Sequence, residues 1–185
     1  TGGPDLTSNG VTYDAFVAKV ASDGSGLTYC GFIGGSGSDE PRSIAVDSSG
    51  CAYVAGFTDS TESSFPVTGG PDLTHNGGTN DAFVAKIASN GASLTYCGYI
   101  GGSGDDKGTA IAVDSSSCAY VAGKTVSTAS SFPETGGPDL THNGGTLDGF
   151  VAKVASDGAS LTYCGYIGGS GEEDLRGATV DSSGC

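Results

Sequence analysis

Methionine and tryptophan are absent from this chain of 185 residues, and basic side chains are scarce. Seven Lys and Arg stand against 21 Asp and Glu, a net charge of −14. A phosphate backbone needs a surface of the opposite sign, so no nucleic-acid partner is expected. No apolar run approaches the roughly 20 residues of a membrane-spanning helix, so no membrane span is expected either. There is no CxxC pair, and the two histidines lie far in sequence from any cysteine, which leaves a zinc site without support. No stretch carries a 3.6-residue apolar stripe with caps, so no significant helix is expected. The chain opens at Thr1 rather than at a methionine and shows no signal peptide, and it reads as a mature or excised segment.

Glycine is abundant, at 34 residues, and the apolar residues come in short runs of Ala, Val, Ile and Tyr. Runs of strand length between Gly, Ser, Thr, Asn and Asp predict an all-β fold with many turns. The dominant feature is repetition. "TGGPDLT" begins at Thr1, Thr68 and Thr135, and "LTYCGYIGGSG" stands at both 94–104 and 161–171. The period is 67 residues, and stretches 68–118 and 135–185 agree at 38 of 51 positions. Periodicity on this scale predicts a solenoid, a propeller or an array.

Each period holds four strand candidates. "RSIAVD" (42–47) and "AYVAGFT" (52–58) flank the tight turn "SSGC"; "DAFVAKI" (81–87) and "LTYCGYIGG" (94–102) flank "ASNGAS". Four antiparallel strands per 67-residue repeat describe one blade of a β-propeller.

Together with "GSGSDEPRSIAVDSSGCAYVAGFT" and "SSFP", these segments resemble the SBBP family of β-propeller repeats, found in secreted and surface proteins of bacteria and archaea. The resemblance implies that "SIAVD" is the innermost strand and "LTYCGYIGG" the outermost. Two features depart from the family pattern, the cysteines and the long connection 59–80. Residues 1–41 then supply the outer two strands of a blade, 42–108 and 109–175 two complete blades, and 176–185 the innermost strand of a further blade. Such an array reads as a window on a longer repeat chain, or as chains completing one another, and its unpaired edges are expected to associate.

The six cysteines, Cys30, Cys51, Cys97, Cys118, Cys164 and Cys185, are spaced alternately 21 and 46 apart. An even, repeating set in a chain of secreted character predicts disulfides. Two patterns respect the repeat. One joins Cys30 to Cys51, Cys97 to Cys118 and Cys164 to Cys185. The other joins Cys51 to Cys97 and Cys118 to Cys164. A blade geometry fits both poorly, because strands two apart lie almost 10 Å from each other while a disulfide spans about 4.4–6.8 Å between Cα atoms. Bridges between chains or distant blades are therefore expected.

Three loops present alternating oxygen donors around glycine: Asp5, Thr7, Asn9 and Asp14; Asp72, Thr74, Asn76 and Asp81; Asp139, Thr141, Asn143 and Asp148. Such a set suits calcium as a cofactor, although Asx-turns use the same residues without an ion. A second acidic loop (Asp39 and Glu40; Asp105 and Asp106; Glu172, Glu173 and Asp174) reads as solvated, and "GGSG" as a flexible turn between blades. His75 and His142 recur where the first copy has Ser8, and nothing in the sequence orients them for catalysis. Lys19, Lys86 and Lys153 read as rim charges. Near-identical blades offer the same groups everywhere, whereas an active site concentrates unlike groups, so no enzyme is expected. The function expected is that of an extracellular or cell-surface structural protein, self-associating through blade edges and disulfides into a layer or filament. The alternative is a propeller module binding a glycan, a protein or calcium.

Overall fold

A computed structural model describes residues 2–10 and 12–185. Ten strands form in chain order: β1 (Ala15–Val20), β2 (Leu27–Ile33), β3 (Asp39–Val46), β4 (Ala52–Thr58), β5 (Asp81–Ile87), β6 (Leu94–Ile100), β7 (Asp106–Val113), β8 (Ala119–Thr125), β9 (Asp148–Val154) and β10 (Leu161–Ile167). They make one two-stranded sheet, β1-β2, and two four-stranded sheets, β3-β4-β5-β6 and β7-β8-β9-β10. All pairs are antiparallel neighbours in sequence. The chain is thus all-β, with blade-like sheets of four strands at the predicted period.

Register repeats as faithfully as sequence. Ala18 faces Cys30 in the first pair, Ala85 faces Cys97 in the second and Ala152 faces Cys164 in the third. The same irregularity follows the lysine each time, at Lys19/Val20 and Lys86/Ile87.

The core lies between sheets, because each blade has two apolar faces. One face of the central blade (Tyr53, Ala55, Ala82, Val84, Tyr96, Ile100) joins Ile111, Val121, Phe150, Ala152, Val154 and Tyr166 of the next. Its other face (Val54, Phe83, Ala85, Ile87, Cys97, Tyr99) joins Ala15, Val17, Tyr29 and Ile33 of β1-β2. Every residue of β4 is consequently buried. Strands buried on both faces read as continuous apolar runs, which is why "AYVAGFT" shows no alternation.

Four expectations need correction. The first strand of each blade begins three residues earlier than "RSIAVD" suggests, at Asp39 and Asp106, and both acids are 0% exposed. The acidic loop is therefore not simply solvated, because its aspartate opens a ladder opposite Thr58 or Thr125. The "GGSG" turn is not free: Gly35 N donates to Asp39 Oδ2 (2.8 Å), Ser36 N to Ser64 Oγ (3.0 Å) and Gly37 N to Ser60 Oγ (2.9 Å). Residues 176–185 carry no strand, because an innermost strand ladders with the second strand of its own blade, as β3 does with β4 and β7 with β8, and none of the ten strands takes that place beside them. The turn at their end still forms, with Ser183 N and Cys185 N donating to Asp181 Oδ1 (2.8 and 2.9 Å).

The long connection 59–80 supplies the fourth correction. It crosses the blade and lies along the outer edge of β6. Thr68 and Cys97 exchange backbone hydrogen bonds (2.9 and 2.7 Å), and Tyr99 N donates to Asp72 O (2.8 Å). Gly70 meets Gly98 so closely that a Cβ on either would stand 2.5–2.8 Å from the other's Cα, which any larger residue would forbid. The third copy straps β10 the same way through Thr135, Cys164, Asp139 and Tyr166, and in the first copy Phe32 N donates to Asp5 O (2.8 Å). Outer edges expected to be open are covered by the blade's own chain.

Candidate functional site

The loops proposed for calcium close on themselves. Asp72 Oδ1 accepts from Thr74 N (2.9 Å), Asp72 Oδ2 from Asn76 Nδ2 (2.7 Å), and Asn76 N donates to Asp81 Oδ2 (2.7 Å). Asp139, Thr141, Asn143 and Asp148 repeat the pattern, and Asp5, Thr7, Asn9 and Asp14 do so with further bonds from Thr7 Oγ1 to Asp5 Oδ1 (2.7 Å) and from Gly10 N to Asp14 Oδ1 (3.1 Å). This is the Asx-turn arrangement. Among the described residues no three His, Cys, Asp or Glu side chains converge to hold a metal ion.

What the sequence did not suggest is that the last acid of each loop comes beside an acid of the acidic loop that follows. A Cβ on Gly101 would lie 2.9 Å from both Asp81 Oδ1 and Asp106 Oδ2, so glycine is the residue that lets the two carboxylates flank one backbone position. Asp14 and Asp39 flank Gly34, and Asp148 and Glu173 flank Gly168. Burial raises the Asp81 carboxyl to about 7, with Asp106, Asp72 and Asp105 adding repulsion against the Asn76 amide. Burial likewise lifts Asp106 to about 6, against donors from Thr125, Gly102 and Ser127. Asp81 Oδ1 and Asp148 Oδ1 are buried without a hydrogen-bond partner. Pairing two carboxylates in a desolvated place favours holding a proton there.

The histidines pack against tyrosines. His75 and His142 lie edge-on to Tyr99 and Tyr166, each with ring centroids 5.7 Å apart, and each Nε2 is buried without a partner. His142 Nδ1 stands 3.9 Å from Asp148 Oδ2.

All six cysteines are free thiols. The expectation of disulfides is not met within the chain, and the reason is facing. Cys97 belongs to the core between the central blade and β1-β2, whereas Cys51 packs on the opposite side, against the core shared with the next blade. Burial above all raises the Tyr96 hydroxyl, with Tyr53 and a nearby Cys118 adding to it, and Tyr96 belongs to the opposite face from Cys97 on the same strand. Both repeat-respecting pairings would thus join opposite faces of a sheet. Burial pushes the Cys164 thiol up to about 12 and that of Cys97 further, the behaviour of an inert core residue.

The joints between blades were only partly visible in the sequence. In "DSSGC", Asp47 Oδ1 accepts from Ser49 N and Cys51 N (2.9 and 3.0 Å), while Oδ2 accepts from Tyr53 OH (3.0 Å) and from Ser117 Oγ of the next blade (3.2 Å). The recurring lysine is a second joint, not a rim charge: Lys86 Nζ lies 4.9 Å over the Tyr53 ring and reaches Ser156 O, 70 residues on, at 3.5 Å. Lys19 reaches Ser89 O at the same offset. Offsets of 70 residues, one period plus three, are the signal that aligned copies would have offered.

No curated protein matches the chain. Comparison with family models matches residues 27–62 to SBBP, described as a beta-propeller repeat. That span runs from β2 through β3 and β4 into the following loop, which is one junction between consecutive sheets together with the Asp47 turn. Residues 27–62 thus match an SBBP beta-propeller repeat, and the 67-residue period writes a similar stretch again from Leu94.

Proposed function

We propose that the protein is a non-enzymatic structural repeat protein, acting outside the cell or at its surface, that assembles blade on blade into a layer or filament. The observation carrying this reading is the state of its two end faces. Phe83 and Ile87 are 0% exposed in the central blade, while their counterparts Phe16 and Val20 are 65% and 60% exposed. Ile44 is 56% exposed where Ile111 is 5%, and Ile167 is 43% where Ile100 is 0%. Both uncovered faces have the makeup of faces that, within the chain, meet another blade. The occupant proposed is accordingly another blade of the same repeat. Apolar patches of this kind mark interaction surfaces, and head-to-tail joining yields rings or open filaments.

Faces take the place of the expected edges as the means of joining, because the outer edges are strapped by the chain itself; no disulfide forms within the chain, and bridges between chains would add to the face contacts. The extracellular setting rests on the resemblance to surface repeat proteins and on the acidic charge. Light scattering after gel filtration tests the reading: the mass should rise with concentration, in reductant as well as without it. Phe16→Asp with Val20→Asp, two exposed positions, should return the chain to a monomer with an unchanged circular dichroism spectrum. A wild-type monomer at every concentration would overturn the proposal.

A further inference from the structure

Four of the seven basic residues in this acidic chain stand around one pocket. Arg42, Lys107, Lys124 and Arg176 line a cavity of about 390 Å³ together with Phe57, Thr109 and Asp174. It spans the junction of two blades: Arg42 comes from β3, Phe57 from the end of β4, Lys107 and Thr109 from β7, and Lys124 from the end of β8. Arg42 and Lys107 both sit over the Phe57 ring, at 4.9 and 4.5 Å from its centroid. The Thr109 hydroxyl donates to Leu175 O, tying in the segment that carries Arg176.

Like charges gathered this closely repel one another, and the acids present offset only part of the charge. Asp174 serves both Lys124 (3.3 Å) and Arg176 (3.0 Å), and Glu40 pairs with Arg42 (2.6 Å). Lys107 has no ion-pair partner among the described residues. The cluster keeps an excess of two positive charges on a chain whose net charge is −14. Charge focused in a recess by surrounding fields of the opposite sign selects a compact anion over a long polyanion, which the rest of the surface would repel.

The repeat supplies an independent argument. All seven lining residues come from three positions of the 67-residue unit: Lys107 and Asp174; Arg42, Thr109 and Arg176; Phe57 and Lys124. At each of these positions the copies differ. Of the thirteen differences between stretches 68–118 and 135–185, eight fall in the unbroken run 105–112. The other five differences are scattered singly, at 80, 82, 87, 90 and 117. Unlike groups placed together in an otherwise uniform array are what a ligand requires.

We infer that this pocket binds a small multivalent oxyanion, a polycarboxylate, phosphate or sulfate, held by Lys107, Arg176, Lys124 and Arg42 through charge-assisted hydrogen bonds. Isothermal titration of the wild-type chain with citrate, inorganic phosphate and sulfate tests this and ranks the three chemistries. Saturable binding at one site per chain is expected for at least one probe. Lys107→Gln with Arg176→Gln should weaken it at least tenfold, while Lys19→Gln, a charge removed from β1, leaves it unchanged. Circular dichroism confirms that each variant is folded; were the double variant unfolded, Lys107→Gln alone is read in its place and should weaken binding at least threefold. No saturable binding by the wild type, equal binding by the folded pocket variant, or equal losses for Lys19→Gln and the pocket variant would each overturn the assignment.

Discussion

The pair β1-β2 and the pair β5-β6 are nearly the same sequence in the same register, yet they live in different surroundings. β5 and β6 lie in the central blade, with β4 beside them and a sheet against each face; β1 and β2 have one face covered and no further strand. Hydrogen bonding is alike in both pairs, while burial differs by the whole range, from 0% at Phe83 to 65% at Phe16. Local sequence thus decides strand, turn and register, and neighbours decide what each apolar side chain contributes.

The sharpest way to break that comparison is to truncate matched residues. Phe83→Ala should cost about 3–5 kcal/mol in urea unfolding, since it empties a packed place against Phe65 and Gly56, whereas Phe16→Ala should cost less than about 0.5 kcal/mol in the monomer. Equal losses would mean that β1-β2 finds a cover of its own. Thiol chemistry gives the next contrast. Cys185 is exposed and Cys164 is buried, so alkylation followed by mass spectrometry should label Cys185 about a hundredfold faster, with Cys164 and Cys97 reacting only through opening of the sheet. Similar rates would show the blades to be loosely packed.

The aspartate of the "DSSGC" turn sharpens the same point at lower energy. Asp47 accepts from four donors, two of them on side chains that anchor the joint to the next blade, whereas Asp181 accepts from only Ser183 N and Cys185 N. Asp47→Ala should therefore destabilise by about 1–3 kcal/mol and Asp181→Ala by a few tenths.

Acidity provides the smallest and most diagnostic effect. The folded-state values of Asp81 and Asp106, about 7 and about 6, exceed the ordinary 3.8, so the folded chain binds these protons more tightly than the unfolded one. The stability they confer is complete below the ordinary carboxylate range and is lost as pH rises through 6 and 7. Melting temperature should fall between mildly acidic and mildly alkaline buffer, and Asp81→Asn should flatten that slope. Asp5, Asp47 and Asp114 have the opposite sign, lowered by their hydrogen bonds, and begin to lose their contribution only below the ordinary 3.8.

Strand identity, pairing order and period were legible because they depend on residues close in sequence: "AYVAGFT" and "DAFVAKI" are buried runs between turns, and they end where the sequence says they do. The strap over β6 was not legible, because "TGGPDLT" looks like any polar loop until Gly70 is seen against Gly98. The facing of the cysteines was not legible for a related reason. Spacing measures distance along the chain and says nothing of which face a residue takes, and Cys97 and Cys118 take opposite ones. The pocket was hidden by the repeat itself. Identity between copies drew attention, while the divergent run at 105–112 held the unlike groups.

A rim sealed by its own backbone leaves these sheets little chance to recruit stray peptide in a crowded solution. Blades joined face to face as proposed would grow coin upon coin, because the strapped edges of β6 and β10 offer a sideways cross-β ribbon no template. Strands strapped in this way can be crowded together without becoming a hazard.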